Sequence, residues 1–99
     1  MQAHYPASFD REMGCNEAEL LGWLPGASRE RPVSVGLGQA TVEIGAGQLV
    51  LTWQTLPPRQ IALLRMPRLA VSFRFSGVDE AQRQSFMRYF DLYTQRGGG

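Results

Sequence analysis

The chain has no lysine, a single cysteine, a single histidine, and no apolar run approaching the length of a membrane span. Each shortage excludes something. Cys15 alone cannot close an internal disulfide, so a reducing, cytoplasmic setting is expected. His4 alone, in a stretch without pattern, cannot supply a catalytic triad or a histidine-rich metal centre within one chain. A transmembrane helix needs roughly 18 or more apolar residues, and the N-terminal "MQAHYPASFDREMG" has neither the basic start nor the apolar middle of a signal peptide. P-loop, GxGxxG and CxxC spacings are all missing. No enzyme, cofactor or metal site is expected.

What remains is a composition that folds. The 99 residues are 43% hydrophobic and 19% charged, which places the chain with globular rather than disordered proteins and suits one small domain over 1–99. All ten basic residues are arginine, and with abundant Gly, Ala and Pro this resembles GC-rich coding of bacterial type. Net charge is only +1, which argues against a general nucleic-acid binder. Its distribution is uneven: residues 1–52 carry a net −3 and residues 53–99 a net +4. The C-terminal half is therefore where an anionic partner is expected.

The periodicity predicts an α+β fold. Residues 1–12 lack a period and are expected to form a flexible or irregular arm, or an irregular strand. "NEAELLGWLPG" reads as a short helix: Asn16 is a good N-cap, Glu19 completes a capping box, and Pro25-Gly26 is expected to stop it. Residues 27–32 form a polar linker. "PVSVGL" reads as an edge strand. "QATVEI" and "QLVLTWQTL" flank a three-residue Gly45-Ala46-Gly47 connection, and Leu49, Leu51 and Trp53 share one face. Pro57-Pro58 is expected to end this strand, since neither residue can donate to a ladder. "QIALLRM" and "RLAVSFRF", separated at Pro67, follow as strands, the second alternating Leu69, Val71, Phe73 and Phe75 inward.

A long helix follows. Asp79 is its N-cap, with Val78 stapled on the stem of Arg83. Phe86, Tyr89, Phe90 and Tyr93 form an aromatic stripe, and Glu80, Gln84, Arg88, Asp91 and Gln95 are expected on the opposite, wet side. The fold expected is thus an antiparallel meander of four to five strands with a short N-terminal helix and a long C-terminal helix packed on one face.

The candidate binding groups are Arg59, Arg65, Arg68 and Arg74, which lie on or between neighbouring strands. Brought to one exposed face, their planar guanidinium forks would hold a phosphate or carboxylate in bidentate fashion. The plainer reading is a solvated sheet face with arginine stems covering apolar surface. Cys15, beside a helix N-terminus, is the one candidate reactive group; the plainer reading is a small packed residue.

Two resemblances are short. Gly97 suits the residue after a helix C-terminus. Gly98-Gly99 also resembles the diglycine of ubiquitin-like proteins and bacterial sulfur carriers, which implies a carrier function. In those families the diglycine follows a strand, and here it follows a helix. "LAVSFRFSGVDEAQRQSFMRYF" is similar in rhythm to the last strand and helix of PilZ domains, which bind cyclic dinucleotides. Neither the RxxxR arginine pair nor the [DN]xSxxG turn accompanies it, and Arg29 and Arg31 stand at another spacing, so that resemblance implies a degenerate domain. The function expected is non-enzymatic: a binding module using an arginine-bearing sheet or helix surface. Its partner would be a protein or a small anionic ligand rather than nucleic acid or a membrane, with the chain a monomer or an edge-paired homodimer.

Overall fold

Alternation of apolar and polar residues over 39–56 and 69–76 builds the middle of a sheet, and a computed structural model describes residues 4–96 around it. Five antiparallel strands run β1 (Ser8–Met13), β2 (Val33–Gly36), β3 (Gln39–Ile44), β4 (Gly47–Ile61) and β5 (Leu64–Ser76), in the spatial order β1-β5-β4-β3-β2. Strands β2 to β5 form a meander, but the expected separate strand over "QIALLRM" is instead the end of β4, a turn and the start of β5. β1 joins at the far edge of β5, and the chain reaches β2 through helix α1 (Glu17–Ala27). Helix α2 (Glu80–Arg96) closes the described chain. The architecture is α+β, with both helices on one face of the sheet.

That face carries Ala40, Val42 and Ile44 from β3, Leu49 and Leu51 from β4, and Leu69, Val71, Phe73 and Phe75 from β5, all buried. Leu20, Leu24 and Ala27 of α1 and Phe86, Met87 and Phe90 of α2 complete the same cluster. Phe90 meets Phe73 edge to face at 5.6 Å between centroids, and Phe86 meets Phe75 at 6.2 Å. Each fully buried ring removes apolar area worth about 2–3 kcal/mol from water. Tyr89 and Tyr93, also on the aromatic stripe, turn toward α1 and the linker instead. The guanidinium of Arg29 lies 4.1 Å from the Tyr89 ring and that of Arg31 lies 5.6 Å from Phe86, so the linker roofs part of the stripe with cations.

Several local expectations are corrected. Residues 8–13 form a regular strand rather than an arm or an irregular one, with Phe9, Arg11 and Met13 opposite Phe73, Val71 and Leu69. Asn16 does cap α1 with a full capping box, but Pro25 sits inside the last turn and the helix runs on to Ala27. Only one helical hydrogen bond is forfeited there, and the Ser28, Arg29 and Glu30 amides still reach carbonyls of Leu24, Gly26 and Pro25. Arg29 and Glu30, at φ of 53° and 60°, turn the chain away. Gly26 is needed for another reason, since a Cβ there would overlap the Tyr93 ring where the two helices cross.

The Gly45–Gly47 connection is a two-residue loop, because Gly47 already pairs with Ile44. Gly45 supplies the positive φ. Gly47 instead lets the backbone approach Gly77 and Ser76, where a Cβ would collide.

The largest correction concerns the prolines. Neither Pro57-Pro58 nor Pro67 ends a strand. β4 continues to Ile61 and β5 begins at Leu64, joined by Ala62-Leu63. The register shifts between Leu56 and Arg59, so that Pro57 and Pro58 oppose Pro67. A bulge is where two residues face one and ladder bonds lapse, so residues without an N–H gather there at little cost.

Candidate functional site

β3 reaches only to Gln39, opposite Thr52, and β1 only to Met13, opposite Leu69. Beyond those points no further strand pairs with β4 or β5 among the described residues, and the two run on together. Residues 56–68 therefore leave the sheet as a two-stranded arm, and the described chain measures 46 Å in its longest dimension against 29 and 21 Å in the others.

The arm carries its apolar residues outward. Leu63 at the turn is 98% exposed, Leu64 is 66%, Ile61 is 53% and Met66 is 47%. Ala62 adopts φ of 53°. Glycine takes that left-handed conformation freely, and a residue with a Cβ is strained there by about 1 kcal/mol. An exposed tip reading Ile-Ala-Leu-Leu, with alanine where glycine fits best, sets its apolar character ahead of local stability.

Both edges of the arm are poor templates for a further strand. The Phe75 amide donates to the Ala7 carbonyl at 2.7 Å. Alternate residues of β5 share that direction, so position 67 faces the open edge, and Pro67 has no N–H to offer. On the opposite edge Trp53 donates to the Gly38 carbonyl at 3.0 Å, and beyond it Pro57 and Pro58 again lack donors.

The four arginines are not one patch. Arg59, Arg68 and Arg74 share the sheet face away from the helices, where β1 supplies acids. Glu12 pairs with Arg68 at 2.8 Å and with Arg59 at 3.4 Å, and Asp10 pairs with Arg74 at 3.0 Å. Arg68 also donates from Nε to the Pro57 carbonyl at 2.9 Å, satisfying the bulge. A hydrogen bond from Ser72, then Arg74, holds the exposed Asp10 carboxyl below the usual carboxylate range. Arg65 stands across from Gln60, one residue out of phase with this group, and lies on the other face of the arm, exposed and with no ion pair or hydrogen bond from its side chain among the described residues. Between them Arg59, Arg68, Glu12, Ile61, Met66 and Pro67 line a shallow cleft of about 240 Å³ on the arm's outer side.

The other sequence candidates are quiet. Cys15 is fully buried, and desolvation, with the charge of Glu19 as a lesser cause, pushes its thiol up to about 11. A reactive thiolate requires the opposite. His4 stands 3.9 Å from Glu80, and no group of three potential metal ligands forms among the described residues. Gly97, Gly98 and Gly99 lie outside the described residues. The PilZ-like stretch forms the end of β5 and most of α2.

One polar cluster expected on the wet side of α2 is instead buried: Gln84 faces Tyr5, and Asp91 faces Tyr5 and Arg11 of β1. Asp91 receives the Tyr5 hydroxyl at 2.6 Å and Arg11 Nη1 at 2.6 Å. Gln84 accepts from the Tyr5 amide at 3.0 Å and donates to the Tyr5 carbonyl at 2.7 Å. Every one of these groups is satisfied by another, which describes a structural clamp rather than a site awaiting a ligand.

The arm is hidden in the sequence because three prolines, at 57, 58 and 67, ordinarily terminate strands. A signal was available: no acidic residue occurs between Glu43 and Asp79, so a segment with four arginines and a run of apolar residues had no local counter-charge. No protein family, curated protein or solved structure matches this chain.

Proposed function

We propose that the protein is a non-enzymatic binding module whose working part is the β4–β5 arm. The observation that carries this reading is the arm itself: a paired, bulged extension that contributes nothing to the core and exposes four large apolar residues at its end. An isolated two-stranded ribbon is marginal in water, and a contiguous apolar surface on a small protein marks a contact. Proline at both edges leaves side chains, not backbone, as the means of recognition. The arginines near the tip add a preference for a negatively charged surround, and Glu12 restrains two of them until a stronger anion competes.

A photoreactive side chain placed at position 63 of the full chain in cells, compared with the same group at Gln95 on the exposed end of α2, tests the reading. Adducts at 63 with few or none at 95 are expected. Absence of adducts at 63 removes the arm as the contact surface.

A further inference from the structure

The faces on which the arginines stand discriminate between kinds of partner. A pocket that grips one anion gathers its cations on one face. Arg68 and Arg74 share the outer face but stand further from the tip, paired with Glu12 and Asp10; nearest the tip, Arg59 is on the outer face of the arm, level with Met66, while Arg65 is on the inner face, level with Gln60. The two cations thus stand at neighbouring rungs on opposite sides, a collar around the arm rather than a patch upon it. Beyond the collar lie only Ile61, Ala62, Leu63 and Leu64, none with a polar side chain. The shallow cleft beside Arg59 takes in Ile61 alone of these four.

The lengths agree with a particular kind of surface. The Ile61–Leu64 rung is two rungs past the Arg59–Met66 rung. At a strand rise of about 3.3 Å per residue, the tip stands roughly 7 Å beyond the Arg59 level. Amphipathic helices at a membrane surface bury their apolar face about 5–10 Å into the headgroup and acyl boundary with basic residues on the polar face, and the tip reaches a like depth. Charge agrees too: the arm has no acid of its own, and an anionic lipid surface attracts each nearby arginine. A second copy of this arm would instead bring like charges together.

We infer that the arm inserts into the interface of an anionic phospholipid membrane, with Ile61, Leu63 and Leu64 below the headgroups and Arg59 and Arg65 on their phosphates. This rests on the arm being the working part of the molecule. It names the partner as a bilayer surface rather than a protein. No described helix is long and apolar enough to cross a membrane, and none is required, because the hairpin collects its apolar residues at one point without needing a long run.

The test uses the full chain sedimented with vesicles of mixed phosphatidylglycerol and phosphatidylcholine, and with vesicles of phosphatidylcholine alone. Sedimentation with the mixed vesicles is expected, and at least about tenfold weaker binding to the neutral ones. Leu63→Ser, at a fully exposed turn position, should weaken binding to mixed vesicles by about tenfold with an unchanged circular dichroism spectrum. Arg65→Gln, which breaks no contact within the described residues, should weaken it severalfold. A Leu63→Trp variant should shift its added fluorescence to the blue on meeting mixed vesicles. Wild-type protein left in the supernatant, or binding indifferent to Leu63→Ser, overturns the inference. Photo-adducts to a protein at position 63 without vesicle binding would do the same while leaving the arm as the contact surface, and absence of adducts at 63 would remove both readings.

Discussion

The Tyr5 hydroxyl donates a 2.6 Å hydrogen bond to Asp91 across 86 residues of sequence, and Arg11 reaches the same carboxylate from β1. The segment before β1 is thereby fastened to the middle of α2, with Arg83 donating to the Tyr5 carbonyl at 2.8 Å as a further tie. Asp91 is only 4% exposed. Its charge is tolerable because the guanidinium and the phenol replace the water it has lost.

Removing that carboxylate should be costly. Asp91→Ala takes the carboxylate from a partly buried guanidinium and a buried phenol, and about 3–5 kcal/mol of stability should be lost in chemical denaturation. Tyr5→Phe removes one hydrogen bond and should cost less, about 1–2 kcal/mol. Glu12→Gln breaks exposed pairs and should change stability by less than about 1 kcal/mol. An Asp91→Ala loss no larger than that of Glu12→Gln would refute the clamp.

Alkaline pH should weaken the fold. Burial first, then the hydrogen bond to Asp91, raises the Tyr5 phenol from 10.0 to about 12. Below the unfolded value both states keep the proton and the full contribution is present. Above it the unfolded chain releases the proton first, so stability is lost as pH climbs from 10.0 toward about 12. Cys15, raised from 9.0 to about 11, acts in the same direction one step earlier. Denaturation midpoints measured across this range should fall more steeply for wild type than for Tyr5→Phe, and parallel curves would exclude the phenol.

The buried thiol should be inert. Alkylation of Cys15 in the folded protein should run far slower than for a free model thiol and recover on unfolding in denaturant. Labelling as fast as the model thiol would reopen a catalytic role.

Proline at the open edge of β5 should keep the protein from pairing with itself. Pro67→Thr restores an N–H facing outward beside an apolar tip, and self-association should rise in sedimentation or light scattering. A variant that stays as monodisperse as wild type would mean the edge was never a hazard.

Much of the fold was legible because its signals are local. A capping box at Asn16–Glu19, strict alternation from Leu69 to Phe75, and the aromatic spacing from Phe86 to Tyr93 each arise from the geometry of one element. The two misreadings at Arg11 and Asp91 have a single cause. Each charge interrupts the inward-facing pattern of its own element, so β1 looked like an arm and one flank of α2 looked wet. Only in space do they neutralise each other.

Sequence alone thus determined the elements whose periods run unbroken, and with them a core that one face of a sheet shares with two helices. Tertiary structure decided whatever depends on pairing between distant segments: the clamp of Asp91 with Tyr5 and Arg11, the ion pairs that Glu12 and Asp10 make with Arg59, Arg68 and Arg74, and the bulge that lets three prolines sit inside a hairpin. The physical reason is that a charge or a missing N–H acquires its cost or its use from the group opposite it, and no window along the chain contains that group.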